Sequence, residues 1–151
     1  MEFQLESKDR GIKMSEPIIN DYIELDEKEL REFFNKYDRE ELELFDFIFY
    51  FAMSHNLIKP RKVLEEVYKE KKYEYSESEE VDIINKNNKL SYNELNYLYN
   101  LTYDGWMCTV NTREYFDYSD EGAELERIKD SVYEEMQNRV KTNKNSLKLV
   151  P

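Results

Sequence analysis

The sequence is poor in the residue types on which most metal and cofactor chemistry depends. Its 151 residues include one His, one Cys and three Gly. Zinc ribbons and other His-rich or Cys-rich metal sites need several such ligands, and phosphate-binding loops and dinucleotide fingerprints need glycines at fixed spacings. These absences argue against most familiar enzymes, so we predict a non-enzymatic protein with neither a cofactor nor a metal site.

Long hydrophobic runs are absent as well. The longest apolar stretch, residues 47–53, has seven residues, whereas a membrane-spanning helix needs roughly 18 or more. Residues 1–13 contain no apolar segment of the kind found in signal peptides, and a single Cys allows no disulfide within the chain. We therefore expect a cytoplasmic protein without a membrane partner.

The two ends of the chain are expected to lie outside the domain. Residues 1–13 are interpreted as a leader or a cloning-derived segment, because the residues just before Met14 could be encoded by a ribosome-binding site. Residues 146–151 are interpreted as a tail, and residues 149–151 match the start of a thrombin-cleavage tag. Residues 14–145 contain no repeat and no Pro/Gly/Ser-rich linker, which predicts a single acidic helical domain.

Negative charge and aromatic residues are what the chain has in excess. There are 34 Asp and Glu against 22 Lys and Arg, a formal net charge of −12, and 13 residues are Tyr. The acidity is concentrated in residues 20–57 and 101–137, which each carry a net charge of −7, whereas residues 138–151 carry +4. Because 40% of the residues are apolar, the chain can still bury a hydrophobic core, and general disorder is disfavoured.

Capping pairs and hydrophobic periodicity predict a compact, mostly α fold of four to five helices. Three pairs have the pattern of a capping box at a helix start, namely Asp26 with Glu29, Asp38 with Glu41, and Ser91 with Glu94. From Phe47 onward the second helix is apolar on every side, which predicts a buried central helix. Asn56 is expected to end that helix and Pro60 to lie in the first turn of the next, so residues 39–72 are predicted to form a helical hairpin.

The remaining segments predict less regular structure around one core. Residues 81–86 and 106–110 are predicted to be short strands, which would pair in a small two-stranded β-hairpin and make α+β the minor alternative. The third capped helix is expected to end near Gly105, and residues 73–80 and 115–118 are interpreted as loops, the second with a strand as its alternative. A final helix has its apolar positions at Leu125, Ile128, Val132, Met136 and Val140. The predicted core consists of Phe45, Ile48, Phe49, Ala52, Leu30, Phe33, Leu64, Val67, Leu95, Leu98, Ile128 and Val132.

Two arrangements imitate catalytic or metal-binding patterns. Cys108 and His55 supply a thiol and an imidazole, but nothing in their spacing brings them together, and a buried thiol and a helix-end imidazole explain them equally well. Residues 117–122 imitate the first half of an EF-hand loop, but Ile128 occupies the position of its bidentate Glu, so a loop leading into a helix is favoured. With 34 acids in the chain, a carboxylate-dependent enzyme stays open as a minor alternative.

Direct binding of nucleic acid is disfavoured, because the net field of the chain would repel a phosphate backbone. Residues 58–76 carry a net charge of +2 within the predicted helical hairpin, which keeps a helix-turn-helix-type regulator as a further alternative. Four Glu in the same segment instead indicate a solvated helix with ion pairs one turn apart.

The favoured function is that of a non-catalytic acidic binding protein that occupies the basic nucleic-acid groove of a host or defence protein. A folded chain of this charge attracts such grooves and associates with them rapidly. Lys, Asn, Ile, Tyr and Phe, whose codons are AT-rich, total 58 residues against 15 for Ala, Gly, Pro and Arg. This bias predicts a gene from an AT-rich bacterium or from a phage or mobile element within one. In charge and length the chain resembles the small acidic inhibitors of phages and mobile elements, including nucleic-acid mimics that block restriction enzymes or CRISPR effectors.

The predicted partner-binding residues are acids from both acidic segments, together with two Tyr anchors. They are Glu40, Glu43, Asp46, Tyr115, Asp117, Tyr118, Asp120, Glu121 and Glu124. Tyr suits an anchor because it offers apolar area and a hydrogen bond at a low entropic cost. The alternative is a helical structural or scaffold protein that self-associates through its aromatic residues, for example as a homodimer. The effect of salt on binding distinguishes these two functions, because a mimic binds in a salt-sensitive way and a structural subunit tolerates salt.

Overall fold

The computed structural model describes residues 23–75 and 81–149, with side chains as far as residue 143, and over these ranges the chain is mostly α. The elements in chain order are α1 (Glu27–Phe34), α2 (Arg39–Phe51), α3 (Ile58–Glu70), a 3-10 helix (Ile83–Lys89), α4 (Tyr92–Asn111) and α5 (Ser119–Leu149). The predicted mostly α fold is therefore confirmed. The expected leader, residues 1–13, lies outside the described residues, as do residues 76–80 of the predicted loop.

All three predicted capping boxes are present. At α1 the Asp26 carboxylate accepts a hydrogen bond from the Glu29 N–H at 2.8 Å, and the Glu29 carboxylate accepts one from the Asp26 N–H at 3.0 Å. The same reciprocal pair starts α2 and α4. Each box satisfies two N–H groups that a helix start leaves without an intrahelical acceptor, so the chain itself fixes where these helices begin.

The core is an aromatic cluster surrounded by aliphatic side chains. Phe45 lies at its centre, with ring centroids of Phe33, Phe34 and Tyr37 at 5.4, 5.4 and 5.1 Å and mostly edge-to-face geometry. Every predicted core residue is buried. The helices surround this cluster in pairs, because α3 packs chiefly on α1, α2 on α4, and α4 on α5.

The predicted β-hairpin is wrong, because the described residues contain no strand. Residues 83–89 form the 3-10 helix, whose start is capped by the Asp82 carboxylate accepting from the Ile84 N–H at 2.9 Å. Ile83 and Asn87 are both buried one turn apart, and the Asn87 amide donates to the Ser131 hydroxyl of α5 at 3.0 Å. Tertiary contact with α5 thus selects a helical turn over an extended strand.

The predicted end of α4 near Gly105 is also wrong, and the residues predicted as the second strand continue the helix to Asn111. Gly105 is buried, and a Cβ there would lie 3.2 Å from the Phe51 Cβ and 3.3 Å from the Leu125 Cδ1. The glycine therefore marks the place where α2 and α5 approach the backbone of α4 closely, which a larger residue would prevent. Its function is packing and not helix termination.

The composition of α2 predicts a helix that is buried on every side, but the structure exposes one of its faces. Tyr50 is 58% exposed and Met53, just beyond the helix, is 72% exposed. The helix ends at Phe51 with Ala52 as its cap, earlier than expected, and the side chain of Asn56 instead accepts from the Ile58 N–H at 3.3 Å at the start of α3. One face of α2 therefore reaches solvent.

No helix of the described ranges is long and apolar enough to cross a membrane.

Candidate partner-binding surface

Three aromatic rings lie together at the surface where the end of α2 meets the start of α5. Phe116 and Tyr118 stack with their centroids 5.7 Å apart and their planes at 28°. Phe51, which is buried, contacts Tyr118 and Tyr50 at 5.0 Å each. Tyr50 and Phe116 are each 58% exposed and Tyr118 is half-buried. We call the rings of Tyr50, Phe116 and Tyr118 the aromatic patch.

The buried Phe51 ring joins the two halves of the aromatic patch, because it contacts both Tyr50 and Tyr118. The pKa of Tyr118 is raised, chiefly by its interaction with Tyr50, and the nearby Glu121 carboxylate raises it further. Tyr118 therefore stays neutral at physiological pH, and its ring contact with Phe51 links the start of α5 to the end of α2. This contact brings the second acidic segment next to the C-terminal half of α2.

The acids of the second segment surround the patch on the α5 side. Asp117 is exposed, and its carboxylate accepts from the Ser119 N–H at 3.1 Å and from the Ser119 hydroxyl at 2.6 Å. These two hydrogen bonds lower the pKa of Asp117, so its negative charge is retained. Asp120 and Glu121 lie in the first turn of α5, where the helix dipole stabilises negative charge. Glu124 is paired with Arg127 at 2.7 Å and is therefore partly neutralised.

The acids of the first segment are spread along α2. Asp46 is exposed, one helical turn before Tyr50, and partial burial raises its pKa while the Arg61 charge opposes that rise. Glu43 accepts a hydrogen bond from the Tyr68 hydroxyl at 2.6 Å. Glu40 has one buried carboxylate oxygen without a hydrogen-bond partner in the described part of the chain.

The structure therefore brings together some of the predicted site residues and separates others. Asp46 lies one helical turn before Tyr50 on α2, and Tyr115 is 79% exposed next to Phe116 in sequence. Glu40 lies eleven residues before Phe51, roughly 16 Å along the helix axis, and does not reach the patch. We define the acidic–aromatic surface as the aromatic patch with Asp46, Asp117, Asp120 and Glu121.

Two open grooves border this surface on the α3 side. A groove of about 610 Å³ runs between α2 and α3, and a second of about 440 Å³ lies beyond it. Both are lined by Tyr50 and Arg61, and the larger one also by Asp46. Among the described residues, Arg61 is thus the only base that lines both grooves together with Tyr50, and its positive charge acts on Asp46.

The residues considered for chemistry lie on different elements. His55 lies in the turn after α2 and lines the smaller groove, whereas Cys108 is half-buried within α4. Across residues 23–75 and 81–149, no three His, Cys, Asp or Glu side chains are grouped so that they could hold a metal ion. Asp117 and Ser119 form a hydrogen-bonded turn into α5, in the manner expected of a loop before a helix.

Tyr50 and Phe116 are the surface residues that the sequence-based prediction missed. Tyr50 belongs to the stretch from Phe47 onward that is predicted to be buried on every side because its residues are apolar. A signal was nevertheless present, because Glu43, Asp46 and Tyr50 follow each other at helical spacing and therefore share one face. Two acids on that face indicate that it points to solvent.

No family model matches the chain, and comparisons with curated proteins and with solved structures find no significant match.

Proposed function

We propose that this chain is a non-catalytic binding protein whose acidic–aromatic surface occupies a basic groove of a partner that handles nucleic acid. The observation that carries the proposal is the contact of Phe51 with both Tyr50 and Tyr118, which brings the acids at the start of α5 next to the exposed end of α2. Acids around an apolar centre suit a partner that offers cationic side chains on an apolar wall. The AT-rich codon bias of the residues is consistent with a phage or mobile-element inhibitor of a host or defence protein.

The net charge supports the same proposal. At −12 the chain repels nucleic acid and attracts basic proteins, and such steering raises the association rate most strongly at low salt. The lowered pKa of Asp117 keeps one of the central charges ionised down to acidic pH. The exposed rings add apolar area, which contributes to affinity after the encounter.

The test combines capture of a partner with a charge reversal. We expect the protein to retain one nucleic-acid-binding partner from a nuclease-treated lysate of an AT-rich bacterial host, and to release it on addition of salt or of competing DNA or RNA. The triple variant Asp117→Lys, Asp120→Lys and Glu121→Lys should lose this partner while circular dichroism shows an intact fold. The matched control is Glu126→Lys, Asp130→Lys and Glu134→Lys, which changes the net charge equally further along α5 and should lose much less affinity.

The alternative of self-association has one observation in its favour, the exposure of apolar side chains. Met53 and Ile58 are 72% and 79% exposed, close to the aromatic patch. Sedimentation over a wide concentration range distinguishes the functions. A salt-resistant homodimer that is dissociated by Met53→Ser or by Ile58→Ser would support the scaffold function. A protein that stays monomeric at all concentrations would instead favour the binding function.

A further inference from the structure

We propose that the aromatic patch receives an arginine side chain of the partner, an inference that rests on the proposed function and names the chemistry of the anchor. The ligand would be a guanidinium lying over the exposed rings and held at its edge by carboxylates beside them.

Two intramolecular contacts show how this chain combines an aromatic ring, a cation and a carboxylate. The Arg39 guanidinium carbon lies 4.6 Å above the centre of the Tyr68 ring, and the Tyr68 hydroxyl donates to Glu43 at 2.6 Å. The Lys129 ammonium lies 5.0 Å from the centre of the Trp106 ring and 2.7 Å from Asp130. In the first, the cation lies on the ring and the carboxylate binds the hydroxyl of that ring, whereas in the second the carboxylate binds the cation itself.

The aromatic patch has the ring and the carboxylate of this arrangement without the cation. In the described ranges the cation–ring contacts fall on Tyr68, Tyr73 and Trp106 and on none of the patch rings. The carboxylates are in place, because Asp117 lies between the stacked Phe116 and Tyr118 in sequence and the Glu121 charge acts on Tyr118. Charge complementarity therefore specifies a cation from another molecule.

Arginine fits this position better than lysine. Its planar guanidinium can stack on a ring and still direct N–H groups from its edge to carboxylates, whereas an ammonium is a compact and strongly hydrated charge. The near-parallel Phe116 and Tyr118 rings, at 28°, offer a flat face to a planar group. An exposed cation–ring contact contributes about 0.5–1 kcal/mol, which corresponds to a roughly two- to fivefold gain in affinity per contact.

The test uses two peptides of equal length and charge, octa-arginine and octa-lysine, titrated into the full chain at low salt by calorimetry. We expect octa-arginine to bind about two- to fivefold more tightly. Tyr50→Ala and Phe116→Ala should lower the affinity for octa-arginine to that for octa-lysine and leave octa-lysine binding unchanged. Phe116→Tyr, which keeps the ring, should preserve the preference. Tyr75→Ala is the matched control, because Tyr75 is 80% exposed away from the patch.

The outcomes separate this inference from the proposed function. Equal binding of both peptides, or a preference that survives Tyr50→Ala and Phe116→Ala, would overturn the arginine anchor. If that binding is still weakened by salt and by the Asp117→Lys, Asp120→Lys and Glu121→Lys reversal, the proposed function stands without the anchor. Binding of neither peptide would overturn both. Because Tyr50 and Phe116 are exposed, the variants should fold, and circular dichroism checks that they do.

Discussion

Phe45 shows how strongly one side chain can determine the stability of this fold. It is fully buried, and four aromatic rings lie within about 6 Å of its own. Phe45→Ala would leave a cavity among rings that cannot collapse into it, so we expect a loss of about 3–5 kcal/mol in the free energy of unfolding. Urea denaturation measures this loss. The same truncation at exposed Tyr75 should stay within about 0.5 kcal/mol, and equal effects at the two positions would contradict the packing described here.

Glu41 predicts a pH dependence of stability. Its carboxylate accepts from the Asp38 N–H at 2.9 Å and lies 3.5 Å from the Lys86 ammonium, yet burial is the largest cause acting on it and raises its pKa. The folded state therefore binds this proton more tightly than the unfolded state does. The resulting stabilisation is complete below the ordinary glutamate pKa and is lost as the pH rises through the raised value.

The measurement compares wild type with Glu41→Gln by urea denaturation from about pH 4 to pH 7. The stability of the wild type relative to the variant should fall as the pH rises across this range. A relative stability that rises with pH would mean that the Lys86 pair dominates over burial, contrary to this prediction.

Residue-level prediction from the sequence succeeds where the cause is local and fails where it is tertiary. The core residues follow from hydrophobic periodicity. The burial of Glu41 and Glu94 does not follow from periodicity. Each is a capping-box residue that also pairs with a lysine, and these lysines come from distant parts of the chain. Tyr50 is misplaced for the same reason, since only the packing of α2 on its neighbours decides which of its faces is covered.

At the scale of elements, the close approach of three helices at Gly105 makes a second stability prediction. An alanine Cβ there would lie 3.2 Å from the Phe51 Cβ, an atom that can move only with its backbone. The gain in helix propensity, about 1 kcal/mol, is opposed by an overpacking cost of about 1–3 kcal/mol. We expect Gly105→Ala to lower the free energy of unfolding by about 1 kcal/mol.

Thermal and urea denaturation of Gly105→Ala test this expectation, with Asn138→Ala at an exposed position of α5 as the control. An increase in stability for Gly105→Ala would show that the glycine is a helix weakness and not a packing requirement. The control should change stability by no more than about 0.5 kcal/mol.

The same glycine explains which elements can be predicted from the sequence. Helix starts are encoded within four residues, so the capping boxes at Asp26, Asp38 and Ser91 were predicted correctly. A glycine inside a helix gives the same local signal as one that ends it, and only the neighbours Phe51 and Leu125 distinguish the two. The 3-10 helix likewise depends on the contact of Asn87 with α5.

At the scale of the whole molecule, the net charge predicts opposite effects of salt on folding and on binding. Self-repulsion within a chain of −12 destabilises the compact state, and the surface ion pairs that salt would also weaken contribute little. Raising NaCl should therefore raise the urea midpoint of unfolding while lowering the affinity for a basic partner. A urea midpoint that falls with salt would mean that ion pairs outweigh self-repulsion.

The union of the two acidic segments is a whole-molecule property that the sequence does not reveal. They are separated by more than forty residues of chain, and their meeting depends on α4 lying against both α2 and α5. The composition predicts an acidic binding protein, whereas the identity of the residues at the centre of the surface follows only from the fold. Glu40 and Tyr50 illustrate this. Glu40 was predicted for the site and lies away from it, whereas Tyr50 lies in a stretch predicted to be buried and is part of the acidic–aromatic surface.

The length of α5 gives the molecule an asymmetric distribution of charge. The helix spans 31 residues, about 46 Å, with Asp117, Asp120 and Glu121 at its start, and the sequence from residue 138 onward contains bases and no acid. Charges of opposite sign separated along one helix form a permanent electric dipole. In the field of a cationic partner such a dipole experiences a torque, so the molecule would turn its acidic end forward before the two surfaces touch.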